Sequence, residues 1–214
     1  MFKDALPEKL EGVLRKITPV VRTERFYLAG GTGLALQIGH RVSEDLDFFR
    51  DTSFDPNSLL LTLKSKTDSS EDVVIESHTL LVSLEGARCS FFFYEVPLIY
   101  ELVEFEGLNV ADWRDILSEK FKTISQRGSR KDFYDIFAVI RSKTLTIEEA
   151  VSFFEKRFGQ TNLNTYHVLR SLTYFEDAEE EPDPVLSAGH AFQWEEVKSF
   201  YVKNIREFEK YFVK

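Results

Sequence analysis

LAGGTGLALQIGHRVSEDLDFF, at positions 28–49, is the stretch from which we predict the fold. Its pattern predicts a short strand, a glycine corner at Gly30 and Gly31, a short helix closed by Gly39, and a second strand with Asp45 and Asp47. Side chains two apart on a strand share one face, so the two carboxylates are expected side by side. Because neighbouring like charges repel each other, this face should bind a cation.

The acid pair and the glycine corner are expected to bind neighbouring parts of one ligand. A hard divalent ion such as Mg2+ binds carboxylate oxygens and keeps water and phosphate in its shell. Paired glycines let a ligand approach the backbone, and the start of a helix favours an anion. No Gly-Lys-Ser/Thr follows, and Leu36 stands where a third glycine would fall, so this is neither a Walker loop nor a dinucleotide fingerprint. Alone, the glycine corner is typical of an ordinary turn and the acid pair of a solvated surface. Their combination indicates a site that binds phosphate and a metal ion.

The composition limits what the chain can be. Its 214 residues are 43% hydrophobic, include 20 phenylalanines and carry a formal net charge of −9. This suits one large domain or two small lobes with aromatic packing, and it argues against nonspecific coating of nucleic acid. Cys89 is the only cysteine and is expected to be buried in a reducing compartment. Neither a signal peptide nor a bilayer-spanning segment is recognisable, so we expect a cytoplasmic protein without membrane contact.

Residues 1–110 alternate between helical and strand patterns. We predict an amphipathic first helix from about residue 7 to 22, with a disturbance at Pro19, and a helix that Asp55 and Pro56 open. Further strand-like runs lie at 73–77, 80–84 and 88–94. These patterns predict a mixed β-sheet flanked by helices, ending in an antiparallel meander.

Residues 111–214 have helical patterns. A capping box at Thr146 and Glu149 opens one of the helices, and an acidic, proline-bearing stretch at 176–184 is expected to be a solvated linker. We therefore predict the α+β class, with an N-terminal α/β lobe at 1–110 and a C-terminal helical bundle at 111–214.

A second group of charged residues lies in the helical half. The run from Lys120 to Lys131 contains five basic residues and no acid, and it leads into Asp132 and Asp135 on one predicted helix face. Cations beside a carboxylate pair suit triphosphate binding with proton or metal handling. A basic helix end followed by the acidic start of the next helix explains the same pattern, so both interpretations stay open.

These motifs resemble, in order and spacing, the nucleotidyltransferases of the AbiEii/AbiGii toxin family, which are similar to the minimal nucleotidyltransferases of the DNA polymerase β superfamily. The resemblance covers residues 28–140. It rests on Gly30-Gly31-Thr32, His40-Arg41-x-Ser43-x-Asp45-Leu46-Asp47-Phe48-Phe49, Glu119-Lys120-Phe121-Lys122, Arg127 and Lys131-Asp132-Phe133-Tyr134-Asp135. It implies a nucleotidyltransferase-type sheet, with a helical lobe that packs on it and completes the site.

The resemblance implies roles for the residues around the glycine corner. The corner and Thr32 would hold the phosphates of a nucleoside triphosphate (NTP), with Arg41 and Ser43 beside them. Asp45 and Asp47 would bind Mg2+ (or Mn2+).

Further roles are implied for the helical half. Lys120 would reach the triphosphate and neutralise developing charge, and Arg127 would also bind the nucleotide. Asp132 would be a further acid of the site, as a general base or an orienting group. Asp135 would hold basic side chains in place.

The implied activity is Mg2+-dependent transfer of NMP from NTP to a hydroxyl, with RNA, and the 3′ end of tRNA in particular, as the acceptor. The implied biological role is that of the toxin in an abortive-infection or toxin–antitoxin pair, with a cognate antitoxin as partner. Two alternatives stay open: a catalytically reduced nucleotide-binding or antitoxin-partner module, and a kinase-like phosphotransferase that moves the γ-phosphate.

One position departs from the wider superfamily, whose members often carry a third carboxylate on a later strand. The corresponding strand here presents Arg88, Ser90 and Phe92 on one face, and none of them is acidic. We therefore expect one metal ion rather than two. Glu95 and His40 are weaker candidates for the site.

Overall fold

The structure, a computed structural model, describes residues 1–213. The chain divides into two compact units, residues 1–112 and 113–214. The first unit contains a mixed sheet with helices and the second is helical, which confirms the predicted α+β class. Within residues 1–213, no helix combines the length and the apolar character that crossing a bilayer requires.

The first unit begins with one 3-10 turn at Lys3–Ala5. Its helices and strands then follow in this order: α1 (Glu8–Thr23), β1 (Tyr27–Leu28), α2 (Gly30–Ile38), β2 (Asp45–Arg50), α3 (Pro56–Lys64), β3 (Ser70–Glu76), β4 (Thr79–Leu84), β5 (Ala87–Phe93), β6 (Val103–Phe105) and β7 (Leu108–Val110). The first helix continues through Pro19, where we expected a disturbance. Asp55 caps α3 with Pro56 at its start, as predicted.

The strands of residues 1–213 form one seven-stranded sheet in the order β3-β4-β5-β2-β1-β7-β6. Strands β3, β4 and β5 make the predicted antiparallel meander, and β5 pairs in parallel with β2. The prediction that the sheet ends with this meander is wrong, because the hairpin of β6 and β7 follows it. Strand β7 extends the sheet on its other side, where Val110 pairs in parallel with Leu28 of β1.

One face of the sheet packs on an apolar core. Leu46 and Phe48 of β2 belong to the same buried cluster as the apolar face of α1. The ring of Phe48 stacks on that of Phe91 in β5, with the centroids 4.9 Å apart. This packing fixes which side chains of β2 point inward, and therefore which ones point to the opposite face.

Cys89 of β5 is buried, with 1% of its surface exposed, and has a free thiol. Burial, with the nearby carboxylates of Asp47 and Asp45, raises the pKa of this thiol to about 12. Only the thiolate reacts, so we expect an aromatic disulfide reagent to label the native protein more slowly than the urea-unfolded protein by a factor on the order of 10³ or more. Fast labelling of the native protein would contradict this and would mean that β5 opens locally.

The second unit is a helical bundle with an aromatic core. Its helices are α4 (Trp113–Arg127), α5 (Arg130–Ser142), α6 (Ile147–Phe158), α7 (Thr165–Ser171), α8 (Glu176–Glu179) and α9 (Trp194–Phe212). Phe121 of α4 makes edge-to-face contacts with Phe154 of α6 and with Phe208 and Phe212 of α9. The predicted capping box of Thr146 and Glu149 is present at the start of α6.

The acidic stretch 176–184 is largely exposed to solvent, as predicted, but it is not a linker, since it contains α8. It wraps around Arg130, whose Nε donates to the carbonyl of Ala178 at 2.7 Å and whose Nη2 donates to the carbonyl of Glu179 at 2.9 Å. The Nη1 of Arg130 also donates to Asp183 at 3.0 Å. The linker prediction failed because charge pattern alone does not show that a buried arginine, 8% exposed, needs these acceptors.

Candidate functional site

Asp45 and Asp47 project from the same face of β2, since they alternate with the buried Leu46 and Phe48. The Oδ1 atom of Asp45 is buried and accepts no hydrogen bond. The Nε of Arg88 lies 2.7 Å from this oxygen, but the contact is an ion pair without hydrogen-bond geometry. A buried carboxylate oxygen without a donor is the kind of atom that a bound cation satisfies.

The glycine corner, which we predicted to precede the helix, forms the first turn of α2, since this helix begins at Gly30. Gly30 has a φ of 60°, and a Cβ atom there would overlap Oδ2 of Asp47. A Cβ atom at Gly31 would overlap Nη2 of Arg41. The two glycines therefore allow an acid and a cation to lie against the start of the helix.

Thr32 and Ser43 connect the start of α2 to the start of β2. The Oγ1 of Thr32 contacts the main-chain carbonyl of Asp45 and lies 2.7 Å from Oγ of Ser43. A carbonyl only accepts, so Thr32 donates its proton to Asp45 and accepts that of Ser43. Both side chains are buried, and this relay fixes the glycine corner against the acid strand. Their contact with phosphate, which the resemblance implies, stays a prediction.

Arg41 is buried beside the first turn of α2. Its Nη1 donates to the carbonyl of Val42 at 3.2 Å, while Nη2 lies over Gly31. A guanidinium at a helix N-terminus adds positive charge where backbone N–H groups already attract anions. This position is compatible with the predicted phosphate contact.

Strand β5 supplies no acid beside the pair on β2. In the parallel register, Asp45 pairs with Arg88 and Asp47 pairs with Ser90. Glu95 is exposed beyond the end of β5, and His40 is fully buried. In the described part of the chain, no group of three or more His, Cys, Asp and Glu side chains could hold a metal ion.

The two carboxylates of β2 nevertheless fit one hard divalent ion. They offer oxygen ligands only, and Oδ1 of Asp45 accepts no hydrogen bond, although the exposed Arg88 lies 2.7 Å from it. Mg2+ is commonly held by one or two carboxylates, with water and substrate phosphates completing its shell. Such an ion, when bound, supplies Lewis-acid chemistry at a phosphoryl oxygen.

In the helical unit, Lys120 is enclosed by two carboxylates. Its Nζ lies 2.6 Å from Oδ1 of Asp132 and 2.6 Å from Oδ2 of Asp135. The three side chains are 8%, 1% and 0% exposed, respectively. The two acids lie one turn apart near the start of α5, so both can face Lys120 on α4. The roles of Lys120 at the triphosphate and of Asp132 as a further acid stay predictions.

Arg127 extends this cluster towards solvent. Its Nε lies 3.3 Å from Oδ2 of Asp132, and its side chain is 67% exposed. Of the two predicted nucleotide-binding cations of α4, Arg127 is therefore the accessible one.

Sequence reasoning did not predict the ion pair between Arg88 and Asp45. The signal was present, since the pattern of β5 placed Arg88 on the face where a third acid was sought. The pairing of β5 with β2, which brings Arg88 opposite Asp45, became evident only in the structure.

The fold is that of a nucleotidyltransferase. A Helicobacter pylori protein provisionally assigned as a nucleotidyltransferase superposes with a TM-score of 0.55 at 17% identity, over 94% of this chain and 95% of that one. JHP933 from Helicobacter pylori superposes with a TM-score of 0.54 at 17% identity, over 94% of this chain and 92% of that one. At this identity, both likenesses concern the fold alone.

Sequence comparison gives the family. The profile of the nucleotidyl transferase AbiEii toxins of type IV toxin–antitoxin systems matches residues 13–88 and 82–212. The uncharacterized protein aq_aa25 of Aquifex aeolicus (strain VF5) is 33% identical over 207 residues, which cover 95% of this chain and 97% of that protein. This chain belongs to the AbiEii nucleotidyltransferase toxin family, which confirms the resemblance seen in its motifs.

We expect Gly31→Ala to weaken NTP binding by about 10- to 100-fold, because the new methyl group displaces the Arg41 guanidinium and removes a charge-assisted contact. Unfolding should change little, since the end of a flexible side chain can move. Gly12→Ala is the matched control, because a Cβ atom at Gly12 meets nothing within 4 Å. Titration calorimetry with NTP and thermal melting check both variants, and unchanged affinity in Gly31→Ala would contradict the assignment.

Proposed function

We propose that this nucleotidyltransferase moves NMP from NTP to a hydroxyl of RNA in a Mg2+-dependent reaction, with the 3′ end of tRNA as the expected acceptor. We further propose that it is the toxin of a toxin–antitoxin pair with abortive-infection activity and acts in the cytoplasm, where its substrates are. The observation that carries the chemistry is the position of Asp45 and Asp47 on one face of β2, with the carboxylate of Asp47 directly against Gly30.

The proposed binding roles follow from the contacts of this corner. Asp45 and Asp47 hold Mg2+ (or Mn2+) through carboxylate oxygens. The backbone N–H groups that open α2, together with the Arg41 guanidinium, bind phosphate oxygens of the NTP. Because Gly30 and Gly31 carry no Cβ atom, the side chains of Asp47 and Arg41 can lie against the start of α2.

The proposed reaction is an in-line displacement. The acceptor hydroxyl oxygen attacks the α-phosphorus, and the new P–O bond forms as the bond to the β-phosphate oxygen breaks. The acceptor proton passes to solvent or a basic group, and pyrophosphate leaves. Arg41 and the helix N–H groups stabilise the negative charge that develops on the phosphoryl oxygens.

The biological role is supported by the family, which is described as the toxins of type IV toxin–antitoxin systems. A cognate antitoxin is therefore the protein partner that we propose. The reaction class requires a hydroxyl as the acceptor, and we propose that RNA supplies it.

The test follows two labels. The purified chain is incubated with bulk tRNA, Mg2+ and each NTP, labelled on either the α- or the γ-phosphate, with an EDTA control. We expect the α-label to enter RNA and the γ-label to appear in pyrophosphate. Entry of the γ-label into RNA would instead identify a kinase-like phosphotransferase. NTP binding without transfer of either label would contradict the proposed reaction.

A further inference from the structure

An open cavity of about 670 Å3 lies within the helical unit. It is bounded by the end of α4 and the connector after it, by α7, and by α9. This volume lies in the range of small-molecule sites. The residues with metal or phosphate roles in the first unit do not line this cavity, whereas Arg127, a predicted nucleotide-binding residue of α4, does.

Two tyrosines present their rings at the cavity. Tyr166 and Tyr174 both line it, and they are 54% and 50% exposed. The hydroxyl of Tyr174 donates to Glu176 at 2.8 Å, which holds that ring in place. Exposed aromatic rings at a cavity wall are platforms on which nucleic-acid bases stack.

Cations and a histidine lie near these rings. Arg127 and Arg170 line the cavity, and both are exposed. The Nε2 of His167 lies 3.0 Å from the main-chain carbonyl of Ser125. Because the carbonyl only accepts, Nε2 carries the proton of this contact, which fixes the ring of His167 at the cavity wall.

Two acids also line the cavity, and they limit the negative charge of the ligand that it can bind. Asp177 and Glu209 balance the charge of Arg127 and Arg170, so the cavity is not a basic groove for a long polyanion. Carboxylates accept hydrogen bonds from the amino groups of bases. The combination suits one unpaired base with its adjoining phosphodiester, which carries a single negative charge.

We propose that this cavity binds an unpaired nucleotide of the RNA acceptor, which rests on the function proposed above. Its base stacks on Tyr166 or Tyr174, its amino groups donate to the acids, and its phosphodiester meets the arginines. A free NTP offers the same base, but its triphosphate carries several negative charges that the two carboxylates oppose. The cavity chemistry therefore favours the acceptor strand over the NTP.

The test uses the full-length chain and two variants, Tyr166→Ala and Arg170→Ala. We expect each to weaken binding of a fluorescent single-stranded oligoribonucleotide about tenfold, and to raise the KM for RNA without changing the KM for NTP. Tyr166→Phe keeps the ring and is expected to restore binding. Arg141→Ala removes a 59% exposed arginine of the same unit that does not line the cavity, so it controls for net charge.

RNA binding tests the cavity proposal, and label transfer tests the proposed reaction, so the two can fail separately. Loss of RNA binding in the variants supports the cavity even if the wild-type chain transfers no label, in which case only the proposed reaction fails. Transfer by the wild-type chain, with unchanged RNA affinity in Tyr166→Ala and Arg170→Ala, would overturn the cavity proposal and leave the reaction intact. Weaker binding of NTP but not of RNA would also overturn it, because the occupant would then be the NTP.

Discussion

Asp45→Asn and Asp47→Asn are each expected to lower NMP transfer by a factor on the order of 10³. A metal ion held by these oxygens contributes several kcal/mol of charge stabilisation in the transition state, and each 1.4 kcal/mol is about tenfold in rate. An amide is nearly isosteric with a carboxylate but carries no charge, so the cation loses its ligand while the strand keeps its packing. Transfer of the α-label from NTP to RNA is the measurement.

The Asp45→Asn variant should keep or raise the melting temperature. Two like charges on one sheet face repel each other, and removing one relieves that repulsion. The ion pair of Asp45 with Arg88 offers little in return, because the arginine is 68% exposed. Asp51→Asn is the matched control, since Asp51 follows β2 directly and is exposed. Full transfer by Asp45→Asn or Asp47→Asn would remove the basis of the proposed reaction.

The segment 28–49 could be predicted from sequence because its signals are local. Two acids separated by one residue share a strand face whatever the rest of the chain does, and Gly39 ends the preceding helix in the left-handed conformation, with a φ of 65°. The sequence indicated that Gly30 and Gly31 leave space, but not which groups fill that space. A ligand was expected to need the space, whereas the structure shows that Asp47 and Arg41 of the protein itself already occupy it.

Other features depend on partners that are distant in sequence, so local patterns could not predict them. The strands β6 and β7 have three residues each, which is too short for alternation to be recognised. The stretch 176–184 has the charge of a solvated linker, but its conformation follows from the buried Arg130, which lies about fifty positions earlier. The charges around Lys120 were recognised, but their burial depends on how α4 and α5 pack.

Lys120→Met is expected to destabilise the protein by about 3–5 kcal/mol, because it removes the buried cation that lies 2.6 Å from both Asp132 and Asp135. Denaturant unfolding at neutral pH measures this loss. Arg157→Met is the matched comparison in the same unit, since Arg157 forms another buried ion pair, 3.4 Å from Asp115. A loss of transfer in Lys120→Met alone therefore cannot be assigned to the triphosphate, because part of the protein is expected to unfold.

The triple variant Lys120→Met, Asp132→Asn and Asp135→Asn separates stability from nucleotide binding. Replacing all three charges also removes the two buried carboxylates that faced Lys120, so most of the lost stability should return. If Lys120 also binds the triphosphate, the refolded triple variant will bind NTP about 10- to 100-fold more weakly than the wild type, as expected for a lost charged contact. Wild-type NTP affinity in a stable triple variant would instead make Lys120 a structural cation of the α4–α5 pair. Affinity is the deciding measurement because a general base at Asp132 would change the rate of transfer without weakening NTP binding.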